Sequence, residues 1–154
     1  MKLTVIGAGA IGSAIVRTLC DQDEITQVQV CDASARSLQS LHESVPKTTK
    51  LRSFQVDVRD PNVIGPILSG SDCVIGAAAP ELNPLLAETS IEVGSSFCDL
   101  GGSDAIVAEE LDLGSRAREK NVWVVPNCGL APGLVNILCM HGIEQFDEVG
   151  LGDD

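Results

Sequence analysis

The chain has 154 residues, enough for one ordinary domain with a real core. Its composition, 44% apolar and 21% charged with 15 Gly and 7 Pro, excludes a disordered tail, a collagen-like fibre and a coiled coil. Ten basic against 22 acidic residues leave a net charge of −12, which repels phosphate groups and so excludes nucleic acid and anionic membranes as expected partners.

Met1 to Val16 contains no apolar run of signal-peptide type. Nothing in the chain approaches the ~18 apolar residues that a membrane span needs. The six cysteines (Cys20, Cys31, Cys73, Cys98, Cys128 and Cys139) form no C-x-x-C pair, and His42 and His141 stand far apart, so no metal site is expected. Five of the six lie within or beside apolar runs and read as small buried hydrophobes in a reducing cytosol, hence a cytoplasmic protein. Only Cys128 lies in a segment of functional character.

In chain order, strands and helices alternate. Lys2 to Gly7 is a short β-branched run ending in glycine. Ala10 to Cys20 changes period, with Ile11, Ala14, Ile15, Thr18 and Leu19 at helical spacing. Thr26 to Cys31 alternates as a strand does, and Ser34 to Val45 reads as a helix stopped by Pro46. Leu51 to Asp57 is a third strand, and Asp60-Pro61 starts a short helix. Asp72 to Ala77 is a continuous apolar strand, the pattern of one buried on both faces. Pro84 to Val93 is helical, Ser96 to Leu100 a fifth strand, and Ser103 to Lys120 one long capped helix. Val122 to Val125 is a sixth strand, Leu134 to Gln145 a last helix, and a further strand begins at Glu148. This alternation predicts an α/β fold, a doubly wound parallel sheet of the Rossmann type, with strand order 3-2-1-4-5-6 and one dinucleotide-binding domain over residues 1–154.

The first turn carries the clearest chemistry. Gly7-Ala8-Gly9-Ala10-Ile11-Gly12 is a G-x-G-x-x-G between a strand and a helix, the context that makes this weak pattern meaningful. Gly7 makes the tight turn, Gly9 lets the backbone approach a pyrophosphate, and Gly12 lets helix and strand pack closely. The N–H groups near Ala10 and Ile11 then face the diphosphate.

Asp32 ends the second strand, followed by Ala33, at the spacing expected of the carboxylate that accepts the ribose hydroxyls. A 2′-phosphate there would meet a negative charge, so NAD is favoured over NADP. Arg36 offers the alternative of an arginine swung towards a 2′-phosphate. Asp57-Val58 after the third strand flanks the adenine, or Asp57 is an exposed turn carboxylate. Ala77-Ala78-Ala79-Pro80 after the fourth strand leaves room for ribose and nicotinamide at the switch point of the sheet.

Two later segments, Asp99-Leu100-Gly101-Gly102 and Pro126 to Asn136, also follow strands and so lie on the carboxyl edge. In the second, Pro132-Gly133 opens a helix whose N–H groups are expected to be free for a substrate carboxylate, and Cys128 sits beside the nicotinamide. Asp99, Gly101, Gly102, Cys128, Pro132 and Gly133 are the substrate-side candidates. No Lys, Tyr or His lies in these motifs to act as general acid or base, so no catalytic residue is assigned.

The GAGAIG start, the D-L-G-G at Asp99 and above all N-C-G-L-A-P-G-L-V-N at Asn127 to Asn136 resemble the saccharopine dehydrogenase-like family, over nearly the whole chain and most closely its lysine 6-dehydrogenases. Related saccharopine reductases tend to carry aspartate where this chain has Ala131, which favours the lysine-dehydrogenase branch. The resemblance implies a nicotinamide oxidoreductase of amino-acid metabolism, oxidising a C–N bond by hydride transfer. It also implies a second domain, absent here, that covers the substrate and builds a homodimer. The chain is then the dinucleotide half of an enzyme, inactive alone. The alternative is a stand-alone dinucleotide-sensing module resembling the regulatory domains of potassium channels, which has no evident need of the N-C-G-L-A-P-G motif.

Overall fold

A computed structural model describes residues 1–45 and 48–146. The expected helix stop at Pro46 and the strand at Glu148 lie outside them. Among the described residues six parallel strands form one sheet in the order β3-β2-β1-β4-β5-β6, the expected Rossmann-like arrangement. The strands are β1 (Lys2–Ile6), β2 (Gln27–Asp32), β3 (Leu51–Gln55), β4 (Cys73–Gly76), β5 (Ser96–Asp99) and β6 (Val124–Val125). The helices are α1 (Ala10–Cys20), α2 (Ala35–Ser44), α3 (Pro61–Leu68), α4 (Asn83–Glu92), α5 (Asp104–Asp112), α6 (Gly114–Glu119) and α7 (Leu134–Ile143).

Alternation along β1 and β2 divides the core. Leu3, Val5, Val28 and Val30 pack with Val16 of α1 and Leu41 of α2 on one face. Ile6, Val74 and Phe97 pack with Ile64 and Leu68 of α3 and Leu86 of α4 on the other. Local chemistry starts the helices as the sequence suggests. The Ser34 hydroxyl accepts from the Ser37 N–H at 3.1 Å, and the Asp60 carboxylate accepts from the Asn62 N–H at 3.0 Å, with Pro61 in the first turn.

Three expectations need correction. The helix expected over Ser103 to Lys120 is two helices, broken at Leu113-Gly114, where glycine lowers helix propensity in mid-run. The sixth strand spans only Val124–Val125, because the Val122 N–H is taken by the Ala117 carbonyl at the end of α6 and Asn121 turns the chain at φ 55. β4 is not buried equally on both faces: Val74 and Gly76 are buried, while Cys73 and Ile75 are only half-buried. A 3₁₀ turn at Pro80–Leu82 also precedes α4.

α7 has none of its side chains buried, and Leu134, Ile137, Leu138 and Met140 are exposed. Among the described residues no helix is long and apolar enough to cross a membrane.

Phe97, on β5, is the largest fully buried side chain. Truncation to alanine removes its contacts between sheet and helices and is expected to cost about 3–5 kcal/mol. Urea unfolding of Phe97→Ala should show a correspondingly lower midpoint; an unchanged midpoint would contradict this packing.

Candidate dinucleotide site at the carboxyl edge

The glycine turn leads from β1 into α1. Gly7 has φ +105, and a Cβ there would lie 2.5 Å from the Ala77 carbonyl oxygen after β4. A Cβ on Gly12 would overlap the Gly7 carbonyl. Both positions therefore require glycine, one for conformation and one for the closeness of helix to turn. At Gly9 a Cβ would meet nothing within 4 Å, which leaves open space in front of the first turn of α1.

Asp32 holds this turn from the end of β2. Its Oδ2 accepts the Ala8 N–H at 2.7 Å, and its Oδ1 accepts the Ser34 N–H at 2.7 Å. The carboxylate thus fixes the glycine loop and the entry to α2 together.

Two hollows flank that point. A cavity of about 250 Å³ lies over the ends of β1 to β4 and is lined by Gly7, Asp32, Ala33, Asp57, Val58 and Ala78, together with Ile6, Cys31 and Arg59. All six of the first group are sequence-selected positions. Asp57 is bound by the Arg59 side chain at 2.9 Å through Nε, and that hydrogen bond, with the guanidinium charge, holds its carboxyl down at about 2. An open cleft of about 490 Å³ lies on the other side of the turn, lined by Gly9, Ala10, Ser13, Arg17, Arg36 and Ser37. Arg17 is a basic residue of this cleft that sequence reasoning missed. Its signal was its place two turns into the helix that the glycine loop opens. Ala10 and Ile11 are exposed at the start of α1, and Ala79-Pro80 begin the 3₁₀ turn beyond β4.

The two late loops meet through Asp99 at the end of β5. Its Oδ1 accepts the Gly101 N–H at 2.5 Å and the Asn127 N–H at 3.2 Å, and its carbonyl accepts the Cys128 N–H at 2.8 Å. Asp99 is fully buried, as is Glu110 of α5. Burial first, then the neighbouring Asp99 carboxylate, push Glu110 up to about 8. Glu110 is a further residue the sequence reading missed, although the inward stripe of Ile106, Leu113 and Ala117 marks its position.

One expectation for the last motif fails. The first-turn N–H groups of α7 are occupied: Gly133 donates to Asn136 Oδ1 at 3.0 Å, Leu134 to the Gly129 carbonyl at 2.9 Å and Val135 to the Leu130 carbonyl at 2.9 Å. Pro132-Gly133 therefore presents no free helix N-terminus to a carboxylate. No helix terminus lowers the Cys128 thiol either. Partial burial, then the Asp99 charge, push it above its ordinary value. The cysteines are free thiols, with Cys20 and Cys31 buried, Cys73 and Cys98 half-buried, and Cys128 and Cys139 exposed, so Cys139 is not the buried hydrophobe expected.

Comparison with known proteins follows this geometry. Residues 3–126 match the saccharopine dehydrogenase NADP binding domain. The chain belongs to that family. A malate dehydrogenase of Salinibacter ruber is 28% identical over 124 residues, covering 73% of this chain and 39% of that protein. The solved apo saccharopine dehydrogenase (L-Glu forming) of Saccharomyces cerevisiae superposes with a TM-score of 0.75 at 20% identity, over 94% of this chain and 31% of that one. GenD2 from gentamicin A biosynthesis, solved in complex with NAD, superposes with a TM-score of 0.59 at 16% identity, over 82% of this chain and 34% of that one. The chain thus spans 31–39% of the length of these relatives. Its fold and its family are those of a dinucleotide-binding oxidoreductase domain.

The raised Cys128 thiol gives a pH test. Less thiolate is present at any given pH than for an ordinary thiol, so alkylation should still accelerate above pH 9.0, its ordinary value. Peptide mapping after iodoacetamide pulses at increasing pH checks this, with Cys20 and Cys31 unreactive until the chain unfolds. A rate at Cys128 that levels off near neutrality would contradict the assignment.

Proposed function

We propose that the chain is the dinucleotide-binding part of an amino-acid oxidoreductase of the saccharopine and lysine dehydrogenase type, acting on a C–N bond. The observation that carries this is the glycine turn, Asp32 and the 250 Å³ cavity on one sheet edge with the Asp99-linked loops, in a chain of this family.

The residues present fit a dinucleotide. The cavity bounded by Ala33, Asp57, Val58 and Ala78 takes the adenine, and Gly9, Ala10 and Ile11 face the diphosphate across space free of side chains. Ala78, Ala79 and Pro80 leave room for the second ribose, and the loops of Gly101, Gly102 and Cys128 border the nicotinamide end. When bound, the nicotinamide supplies the acceptor for hydride from the carbon bearing the amine. No Lys, Tyr or His lies in the carboxyl-edge motifs to take the ammonium proton. Lysine and saccharopine are therefore expected not to turn over on this chain alone. The substrate contacts, and any dimer, belong to a second domain. A stand-alone sensing module is the competing class, and the Asp99-linked late loops, which binding alone does not require, weigh against it.

NAD is the proposed cofactor, with its ribose hydroxyls on Asp32. The cleft holding Arg17 and Arg36 beside the glycine turn, together with the NADP-binding description of the family, favours a second reading in which a 2′-phosphate sits there.

Titration of NADH and NADPH by their fluorescence separates the two. If NAD is the cofactor, Asp32→Ala weakens NADH by about 10–100-fold, the loss of one or two hydrogen bonds to a charged acceptor. Arg36→Ala then leaves NADH binding alone. Tighter NADPH binding that collapses in Arg36→Ala or Arg17→Ala would overturn the choice of NAD. Failure of the native chain to bind either would overturn the proposal. Binding followed by NADH production from an amino-acid panel would show that this length is catalytically complete.

A further inference from the structure

We propose that Glu110 is a positioning residue for this site: one proton shared between its carboxyl and that of Asp99 holds the two late loops in the arrangement that receives the nicotinamide end. This rests on the dinucleotide reading above and adds to it the group that sets the geometry of that end.

The geometry leaves the pair short of one donor. Asp99 Oδ1 is fully used, tying Gly101 at 2.5 Å and Asn127 at 3.2 Å in the loops after β5 and β6. Asp99 Oδ2 and both carboxyl oxygens of Glu110 are buried with no hydrogen-bond partner as long as both groups are carboxylates. Neither can donate in that state, and two unpaired like charges would sit together out of water. A single proton on Glu110 supplies the missing donor. The resulting carboxyl-to-carboxylate bond is charge-assisted and short, and it fixes the orientation of Asp99 from behind.

The surroundings agree. Glu110 borders a depression of about 250 Å³ shared with Arg118 of α6 and the exposed Trp123 before β6. Cys98 and Cys128 lie near Asp99 with their thiols pushed up, while a hydrogen bond with Cys98 lowers the Cys73 thiol on β4; none of the three gives a carboxylic-acid band. Burial and Asp99 keep the proton on Glu110 until about pH 8. Above that, two buried carboxylates repel, and the oxygen that holds Gly101 and Asn127 is no longer anchored.

The test compares the native chain with Glu110→Gln, an uncharged isostere that still donates, and Glu110→Leu, uncharged but unable to donate. Infrared difference spectra on the apo chain, from about pH 6.5 to about pH 9.5, look for the carbonyl band of a protonated carboxylic acid. NADH affinity is read by fluorescence over the same range. In the native chain the band should disappear with a midpoint near 8, and NADH affinity should fall about fivefold across it. Glu110→Gln should lack the band and bind NADH equally at both ends, within about twofold of the native chain at the acid end. Glu110→Leu should bind as weakly at both ends as the native chain does at the alkaline end; should it fail to fold, Glu110→Gln still decides. Absence of the band, a native affinity that does not change with pH, or native pH dependence retained in Glu110→Gln would each overturn the role of Glu110. A native chain that binds NADH equally at both ends leaves the dinucleotide reading standing. One that binds no NADH at either end shows that the dinucleotide reading itself has failed.

Discussion

A carboxylate at the end of a parallel strand, accepting backbone N–H groups from the loop of a neighbouring strand, is the interaction on which the carboxyl edge depends. It occurs twice. Asp32 at the end of β2 ties Ala8 in the loop after β1 to Ser34 in its own loop. Asp99 at the end of β5 ties Asn127 in the loop after β6 to Gly101 in its own loop. Parallel strands all deliver their loops to one edge, and those loops have no ladder to fix them. A hydrogen bond to a charged acceptor contributes about 1.5–3 kcal/mol where it is shielded, enough to choose one loop arrangement over its competitors.

The two carboxylates differ in their solvent contact, and that separates their chemistry. Asp32 is half-buried and lines the cavity beside the glycine turn, so its remaining lone pairs are open to that space. Asp99 is fully buried, and its second oxygen, like both of Glu110 nearby, is withdrawn from water without a partner. The first is left open to a cavity, and the second is closed inside the loops it ties.

Much of this was legible from residues. The G-x-G-x-x-G between a strand and a helix placed the turn, because the steric demands on Gly7 and Gly12 arise within that turn and from the next strand's loop. The interval from Gly12 to Asp32 placed the carboxylate, because one helix and one strand of ordinary length fit between them. The alternating elements gave the sheet order. The break at Leu113-Gly114 was missed because a helical stripe of Ile106, Leu113 and Ala117 continues across it while the backbone does not. The occupancy of the α7 N–H groups was missed because it depends on how the Gly129-to-Gly133 loop folds back on itself. Glu110 was passed over because acidic residues in helices are usually solvated.

The sequence by itself determined the β-α alternation, the parallel sheet that follows from it and the edge at which the glycine turn lies, since each rests on periodicity and on short-range steric rules. Only the tertiary structure decided which polar groups were withdrawn from water and what they met there. Asp57 with Arg59 stays in solvent, and Asp99 with Glu110 does not. That difference depends on packing between segments distant in the chain. The physical reason is that desolvation, which sets whether a carboxyl keeps its proton, is a property of everything around the group and not of its neighbours in sequence.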